Sequence, residues 1–428
     1  MKISLFWFRR DLRLEDNHGL SQALSSGLPI QPIFIFDEQI LKELPADDAR
    51  VNFIYEQLEL LNAQLESVGA CLKVYKGNPK DVWQKIITDY EVAQVFLNKD
   101  YEPYAIKRDL ETEEFLAANG IQFKAYKDQV IFEEDEILKD DGSPYTVYTP
   151  YKNKWWKSVK KDDFSPKTIQ KEHFFPNKSP FPTKSQIGIK ESAIKVLPYD
   201  LEQINNYKAQ RDIPKIATTN LSPHLRFGTV SVRELFRTIG DQHETFLNEL
   251  IWREFFMQIL YHFPKSVNHN FKSKYDGIAW RNDEFDFEAW CKGETGYPMV
   301  DAGMRQLNQT GYMHNRVRMV VASFLVKHLL IDWKWGEAYF AQKLLDFELS
   351  SNVGNWQWAA GTGCDAAPYF RIFNPHEQLK KFDPKLDYVR KWVPEVDELT
   401  YARPIVEHKF ARERCLKTYK DGLARIGD

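Results

Sequence analysis

The sequence predicts two domains: an N-terminal α/β domain with a parallel sheet, followed by a C-terminal domain built only of α-helices. The first observation is the chain length, because 428 residues are more than one hydrophobic core usually organises. The second is the alternation of short β-branched and aromatic runs with helical patterns over residues 1–130, which is typical of a parallel sheet. The third is the succession of helical patterns after residue 200.

Five segments of the first domain have the composition of strands. They read ISLFWF (3–8), PIFIF (32–36), LKVYKG (72–77), AQVFLN (93–98) and IQFKAY (121–126). Helical patterns lie between most of them, and the clearest spans residues 48–67, where apolar residues recur with a 3.6-residue period: Val51, Ile54, Tyr55, Leu58 and Leu61. We therefore place the α/β domain at residues 1–130.

The periodicity fades over residues 131–200, where Lys, Pro, Ser and Asp predominate, so we interpret this segment as a connecting linker. Trp155 and Trp156 are expected to order part of it, because solvated linkers seldom carry paired indoles. Residues 201–428 form the second, all-helical domain, with patterns such as VSVRELFRTIG and FLNELIWREFFMQILYHF.

The composition excludes several classes of protein. Hydrophobic residues make up 43% of the chain, which argues against a disordered or fibrous protein. A net charge of -3 argues against non-specific coating of nucleic acid, although a local basic cleft could still bind phosphate. Eight of the 12 tryptophans lie at or after Trp252, so the helical domain is rich in flat aromatic surfaces.

The N-terminus, MKISLFWFRRDLRLEDN, becomes charged within ten residues, and no apolar run approaches the length of a membrane span. The four cysteines show neither a CxxC pair nor metal-ligand spacing, which is typical of reduced thiols. GxGxxG, GxxxxGK[ST] and HEXXH are absent. We expect a cytoplasmic protein with no membrane segment and no metal site.

The segment TTNLSPHLRFG (218–228) places small hydroxyl groups just before a predicted helix. Thr218, Thr219 and Ser222, with the free backbone N–H groups of a helix start, suit a phosphate oxygen. An ordinary helix N-cap explains the same residues equally well.

Three further segments carry polar side chains at helical spacing. In NELIWREFF (248–256), Glu249, Trp252 and Arg253 share one helix face, although a surface ion pair would have the same spacing. In GYMHNRVRMV (311–320), Asn315, Arg318 and Met319 share a face, while Arg316 points elsewhere as a cation suited to phosphate. The segment LLDFELSSN (344–352) supplies Asp346, Glu348 and Asn352, and we expect Arg318 to pair with Asp346.

These segments, read together, resemble the photolyase/cryptochrome family over almost the whole chain. The motifs that carry the resemblance are WFRRDLRLEDN (7–17), LSPHLRFG (221–228), NELIWREF (248–255), TGYPMVDAGMRQLNQTGYMHNRVRM (295–319) and WQWAAGTGCDAAPYFRIFNP (356–375). The resemblance is strongest to class I/III-like photolyases of cyclobutane pyrimidine dimers. It implies a Rossmann-like antenna domain and a helical domain that holds FAD. In such repair enzymes, a carbon–carbon lyase reaction starts when photoexcited reduced FAD donates an electron to a dimer flipped out of DNA.

The resemblance also implies a set of FAD-contacting residues. They are Tyr207, Thr218, Thr219, Asn220, Leu221, Ser222, Glu249, Trp252, Arg253, Asn315, Arg318, Asp346, Phe347, Glu348 and Asn352. Asn352 corresponds to the residue that faces flavin N5, where an amide can hydrogen-bond without adding charge. Plant cryptochromes carry Asp at that position, so Asn352 favours repair.

A second implied set contacts damaged DNA: Arg211, Glu249, Trp252, Asn315, Arg316, Met319 and Trp358. Trp252 and Trp358 would stack on the flipped bases, and Glu249 would hydrogen-bond their carbonyl edge. Met319 stands where (6-4) photolyases are expected to carry histidine, which disfavours that branch.

A third implied set is an electron relay that reduces FAD, formed by Trp356 near FAD, then Trp333, then Trp280 at the surface. Taken singly, each Trp is more often a packing residue, and only the resemblance assigns the relay. Glu249 and Asn352 complete the predicted catalytic residues.

The chain departs from the family pattern at four places. TTNLS stands where TSRLS is usual, Tyr312 replaces a Trp, Glu348 replaces the second Asp of a DxD, and NVGN (352–355) replaces NNGG. For the antenna, methenyltetrahydrofolate, a deazaflavin and no chromophore are all compatible with the sequence. Glu102 resembles a folate-contacting glutamate, whereas the surroundings of Ser266 do not match folate-binding members.

We therefore expect a monomeric deoxyribodipyrimidine photolyase acting on UV-damaged DNA. The alternative is a cryptochrome-type blue-light photoreceptor that signals through FAD photoreduction. A third hypothesis is a DNA-binding module with structural FAD. Only a short basic segment follows Val406, whereas signalling members often extend further, so we favour the enzyme.

Overall fold

The computed structural model describes residues 1–426, and five parallel strands form a single sheet in the N-terminal part of the chain. The strands are β1 (Ile3–Phe8), β2 (Ile30–Asp37), β3 (Lys73–Gly77), β4 (Val92–Asn98) and β5 (Gln122–Tyr126), in the order β3-β2-β1-β4-β5. All five predicted strands and their parallel arrangement are confirmed. β1 and β2 are buried along their whole length, which is why they read as continuous apolar runs with no alternation.

The helices of this part of the chain connect successive strands or follow the sheet. They are α1 (His18–Leu24), α2 (Glu38–Leu41), α3 (Ala49–Glu66), α4 (Pro79–Asp89), α5 (Pro103–Ala118), α6 (Tyr148–Ser158) and α7 (Lys184–Ile187). Asp48 caps the N-terminus of α3, because its carboxylate accepts hydrogen bonds from the backbone N–H groups of Arg50 and Val51. Its buried face contains Val51, Tyr55 and Leu58, as the 3.6-residue period predicts.

The chain divides into two compact units, and their limits differ from the predicted boundaries at residues 130 and 200. The first unit comprises Met1–Glu136, Trp155–Tyr199 and Asn220–Gln242, and the second comprises Ile137–Lys154, Asp200–Thr219 and His243–Asp428.

Long-range contacts account for the two later segments of the first unit. Arg233 forms buried ion pairs with Asp16 (3.2 Å) and Asp128 (2.8 Å), which anchor residues 220–242 to the sheet unit. Trp155 is fully buried, and its ring packs against those of Phe132 and Phe236. The predicted linker is therefore largely a folded part of the sheet unit, because its aromatic and charged residues find buried partners there.

The second unit is helical, which confirms the predicted class. Its α-helices from residue 244 onward are α11 (Glu244–His262), α12 (Glu284–Lys292), α13 (Pro298–Thr310), α14 (Asn315–Ser323), α15 (Trp333–Lys343), α16 (Leu349–Ala360), α17 (Pro375–Phe382), α18 (Asp387–Trp392) and α19 (His408–Ile426). Three short helices come earlier in the chain: α8 (Tyr207–Gln210), and, in the first unit, α9 (Leu221–Arg226) and α10 (Val232–Ile239). No helix among residues 1–426 is both long and apolar enough to span a bilayer.

Helix α16 is packed tightly on two sides. A Cβ atom at Gly354 would overlap the ring of Phe256 on α11, so only glycine allows this approach of the two helices. At the end of α16, the carbonyl oxygen of Ala360 accepts hydrogen bonds from Nζ of Lys327 (2.7 Å) and from the hydroxyl of Tyr419 (2.8 Å). These contacts hold α16 in a fixed position beside the cavity described next.

Candidate cofactor and substrate site

An open cavity lies in the second unit, bordered by α14, α15, α16 and the turn before α16. Nine of the predicted site residues line it: Asn315, Arg318, Met319, Asp346, Phe347, Glu348, Asn352, Trp356 and Trp358. Six further residues complete the wall: Ala322, Phe340, Leu344, Ser351, Asn355 and Ala359. The cavity thus combines aromatic and aliphatic walls with a few amide, carboxylate and guanidinium groups, as in most small-molecule sites.

The charged side of the cavity is an ion pair between Arg318 and Asp346, which confirms the predicted pairing. Nη2 of Arg318 lies 2.9 Å from Oδ2 of Asp346, and Nε of Arg318 donates to the carbonyl oxygen of Met313 (2.8 Å). The other carboxylate oxygen of Asp346, Oδ1, is buried and has no hydrogen-bond partner among the described residues. A buried carboxylate oxygen without a donor fits a ligand that carries an N–H or O–H group.

Asn352 is buried and held by α15. Its Nδ2 donates to the carbonyl oxygen of Glu337 (3.0 Å) and to Oε1 of the same residue (2.8 Å). Burial raises the pKa of Glu337, and the hydrogen bond from Asn352 opposes that shift. Because Nδ2 of Asn352 donates both of its protons to Glu337, the amide oxygen of Asn352 is the group that can accept a hydrogen bond from a ligand.

Glu348 and Arg253 form a second ion pair in this unit. Nε of Arg253 lies 3.2 Å from Oε2 of Glu348, and the Glu348 side chain is 6% exposed. Glu348 is also the residue that precedes the first turn of α16. The exchange of Asp for Glu at this position therefore keeps a carboxylate that lines the cavity and contacts an arginine.

Glu249 pairs with Arg211. Oε1 of Glu249 lies 2.6 Å from Nη1 of Arg211, whose guanidinium also lies over the ring of Tyr207 at 5.4 Å. Burial raises the pKa of Glu249, and Arg211 counteracts this effect. Glu249 and Arg253, four residues apart on α11, thus contact different charged partners.

Arg316 lies beside Met319 but has its own acidic partner. Its Nη2 and Nε atoms lie 2.7 and 3.2 Å from Oδ1 of Asp212, and its Cζ atom lies 4.5 Å from the ring centre of Phe382. Nη1 of Arg316 approaches the sulfur of Met319 at 3.5 Å. The guanidinium is therefore oriented by a carboxylate and an aromatic face while 18% of the side chain stays exposed.

Trp252 is stacked on a residue that the sequence did not indicate. Its ring lies parallel to that of Tyr148, with centroids 3.5 Å apart and an interplanar angle of 9°. Phe255 and Phe256 pack around the indole at 5.6 and 5.5 Å. One face of Trp252 is thus covered by Tyr148.

The three predicted relay residues differ in burial. Trp356 and Trp333 are buried, whereas Trp280 is half-buried and meets the ring of Tyr419 edge-on at 5.9 Å. Nε1 of Trp333 donates to Oδ1 of Asn270 (2.9 Å). The partial exposure of Trp280 agrees with a path that ends near solvent at this residue.

The predicted phosphate loop does not line the cavity. Thr218 and Thr219 belong to the second unit, and Asn220, Leu221 and Ser222 belong to the first. Thr218 and Ser222 are exposed, and Asn220 has a left-handed backbone (φ 53°) just before α9. Asparagine tolerates this conformation better than the arginine usual in the family.

Tyr207, another predicted FAD contact, packs edge-on against Phe246 (5.0 Å) and lies outside the cavity lining. Glu102, the possible antenna ligand, pairs with Arg10 (3.3 Å) and Arg226 (3.2 Å) inside the first unit. Ser266 belongs to the second unit and is buried.

Four contacting residues were absent from the sequence-based predictions: Glu337, Asp212, Tyr148 and Phe382. Only Asp212 had a local signal, since it directly follows Arg211. The other three contact their partners through tertiary packing, which residue spacing does not reveal.

Comparison with known proteins gives full-length matches. Residues 4–170 match the DNA photolyase family, and residues 246–400 match the FAD binding domain of DNA photolyase. A deoxyribodipyrimidine photo-lyase of Agrobacterium fabrum is 36% identical, over 97% of both chains. The crystal structure of a bacterial class III photolyase from Agrobacterium tumefaciens superposes with a TM-score of 0.87 at 34% identity, over 99% of this chain and 98% of that one. A cryptochrome of Synechocystis has a TM-score of 0.88 at 26% identity, over 98% and 99%.

Proposed function

Since this chain belongs to the DNA photolyase and cryptochrome family, we propose that it is a deoxyribodipyrimidine photo-lyase that splits cyclobutane pyrimidine dimers in UV-damaged DNA. The observation that carries the proposal is the cavity in which Asn315, Met319, Asn352 and Trp358 converge. These residues combine the amides, thioether and indole that the family uses against flavin and dimer. The carboxylate, amide and aromatic groups that line the cavity suit two flat ligands, the flavin and the pyrimidine dimer.

FAD fits the described residues. When bound, it supplies the photoexcited electron donor of the family's reaction. Oδ1 of Asp346 would accept a hydrogen bond from the cofactor, while Arg318 contacts the other oxygen of the same carboxylate. Asn352 would present its amide oxygen to the flavin edge because Glu337 fixes its Nδ2 group.

The dimer would be held between aromatic and polar groups. Trp358, which lines the cavity, would offer one stacking surface, and Trp252 would offer the face opposite Tyr148. On binding, Glu249 would leave Arg211 and hydrogen-bond the polar edge of a base. Arg316 would leave Asp212 and contact a DNA phosphate. The site residues therefore bind, orient and shield the dimer from water.

Trp356, Trp333 and Trp280 would supply electrons that keep the cofactor reduced. Indoles lose an electron more readily than most side chains, and the partly exposed Trp280 could release a proton to solvent. This role is independent of dimer splitting by an already reduced enzyme.

Illumination of the purified, chemically reduced protein with dimer-containing oligonucleotides tests the proposal. We expect loss of dimers, measured by chromatography of the digested DNA, in at least one of the single- and double-stranded substrates, and none in the dark. No dimer loss in either substrate would refute the repair function.

The second candidate is a photoreceptor that signals through FAD photoreduction, which the structural likeness to the Synechocystis cryptochrome favours. It predicts light-driven FAD reduction without dimer loss, so the same illumination experiment separates the two functions.

We also infer a monomer that works in the cytoplasm. The four cysteines, all within the described residues, carry free thiols, which suits a reducing compartment. Light scattering on the purified protein should give a mass near 50.4 kDa. A mass of twice that value would refute the monomer.

A further inference from the structure

Tyr148 makes three contacts that join separate parts of the second unit. Its ring stacks on Trp252 with centroids 3.5 Å apart, and its hydroxyl donates to the carbonyl oxygen of Asn248 (2.8 Å). Its backbone N–H donates to Oδ2 of Asp365 (3.1 Å). Asp365 lies in the loop that follows Trp358 at the end of α16. One residue therefore contacts both chain segments that carry the two predicted stacking indoles.

The stacking determines which face of Trp252 is available. A parallel ring at 3.5 Å leaves no space for a base on that side. Phe255 meets the indole edge-on at 5.6 Å, and the ring of Phe256 lies 28° from parallel to it at 5.5 Å, so aromatic rings restrict the indole on further sides. The plane of Trp252 is thus set by its neighbours before any substrate binds.

The hydroxyl contact fixes Tyr148 in turn. Burial and the nearby Glu249 raise the pKa of Tyr148, so the phenol stays protonated and donates to Asn248 at neutral pH. Since Asn248 directly precedes Glu249, the same hydrogen bond also ties the segment of Tyr148 to the first turns of α11.

The hydrogen bond to Asp365 connects Tyr148 to the loop that follows α16. The loop after α16 is itself anchored, because Nζ of Lys327 donates to the carbonyl oxygens of Ala360 and Tyr369, and Lys272 donates its backbone N–H to Thr362. Tyr148 is therefore bound between α11 and a loop that has little freedom to move.

We propose that Tyr148 is a positioning residue for damaged DNA: it fixes Trp252 as a preformed stacking surface and links it, through Asp365, to the loop behind Trp358. This inference rests on the proposed repair function. A preformed surface reduces the entropy that must be lost on binding, so its benefit falls on affinity for the dimer. Undamaged duplex DNA, which inserts no base into the pocket, gains nothing from it.

The experiment compares Tyr148→Ala and Tyr148→Phe with the parent, all loaded with FAD. The probe is a fluorescent duplex with a single thymine dimer, next to the same duplex without damage. For Tyr148→Ala we expect dimer affinity to fall about tenfold, while affinity for undamaged DNA and the repair rate at saturating dimer stay within twofold. Tyr148→Phe keeps the stacked ring and should restore most of the dimer affinity.

Tyr145→Ala is the matched control, since Tyr145 lies in the same segment and its ring contacts Tyr151 at 6.3 Å. We expect it to bind dimers within twofold of the parent. Asp365→Ala keeps the stacked ring and should weaken dimer binding several-fold, which tests the link even where Tyr148→Ala fails to fold. Dimer binding unchanged in both Tyr148→Ala and Asp365→Ala would overturn the inference. A parent protein that neither binds nor repairs the dimer would instead refute the proposed function.

Discussion

Truncation of Asp346 would test whether the cavity binds its cofactor through a buried charge pair. Its Oδ2 lies 2.9 Å from Nη2 of Arg318, and the two side chains are 9% and 28% exposed. Two charges about 4 Å apart attract by about 4 kcal/mol at an effective dielectric constant of about 20, and desolvation offsets much of this. Since Arg318 keeps some contact with water, we expect Asp346→Ala to lower the free energy of unfolding by about 1–3 kcal/mol.

The same substitution removes the free acceptor Oδ1. Loss of a hydrogen bond to a charged group costs about 1.5–3 kcal/mol, which corresponds to about 10–100-fold weaker FAD binding. Titration of the apoprotein with FAD, followed by flavin fluorescence, measures the affinity, and thermal unfolding of the apoprotein measures stability separately. Asp397→Ala is the control, because Asp397 pairs with Arg390 on the surface, and neither quantity should change. Lower stability with unchanged FAD affinity would mean that Asp346 has only a structural role.

Three further predictions concern the relay, the DNA contact and a buried lysine. Trp356→Phe should abolish light-driven FAD reduction, seen in the absorption spectrum, yet leave repair by chemically reduced enzyme intact; equal photoreduction would assign the electrons to another route. Asp212→Asn should free Arg316 and tighten binding of undamaged DNA about threefold in anisotropy titrations at low salt; unchanged affinity would show that no phosphate reaches Arg316. Burial lowers the pKa of Lys327 to about 8 from 10.5, so stability to urea should rise as pH increases from about 8 to 10.5, and Lys327→Met should lose this slope; the same slope in both would contradict it.

The strands were predictable because burial on both faces leaves a simple signature, a short apolar β-branched or aromatic run. Pro32 lacks a backbone N–H, and proline in a sheet usually marks an edge strand. The structure places it within β2, opposite Phe6, and the ladder to β3 begins only at Ile33. Pro32 thus lies where no partner on the β3 side requires its missing donor.

The limits of the two units were not predictable from local composition. Arg233 joins the sheet unit through Asp16 and Asp128, more than 100 residues earlier in the chain. Nothing within a window of 20 residues distinguishes such an arginine from one on a solvated helix face, because the difference lies entirely in its buried partners.

Charge partners were predictable only where a single candidate existed. For Arg318, the sequence indicated one acidic segment as a partner, residues 344–352, and the predicted pair with Asp346 is confirmed. Glu249 had Arg253 four residues away on the same helix, a spacing that fits equally well a surface pair. In the structure, Glu249 pairs with Arg211 and Arg253 pairs with Glu348, because the tertiary fold brings these groups together.

The segment NVGN in α16 departs from the family pattern at Val353, which lies outside the cavity lining, and at Asn355, which belongs to it. Asn352 lines the cavity, whereas Val353, the next residue, lies in the hydrophobic core and outside the cavity lining. Gly354 permits the contact with Phe256, and Asn355 lines the cavity while its Nδ2 donates to the carbonyl oxygen of Ser351 (2.7 Å). Successive helical residues point about 100° apart, so the exchange of an amide for valine at the second position acts on packing and not directly on the flavin-facing side. Val353 is therefore adjacent to Asn352 in sequence, but the helix directs its side chain away from the expected flavin contact.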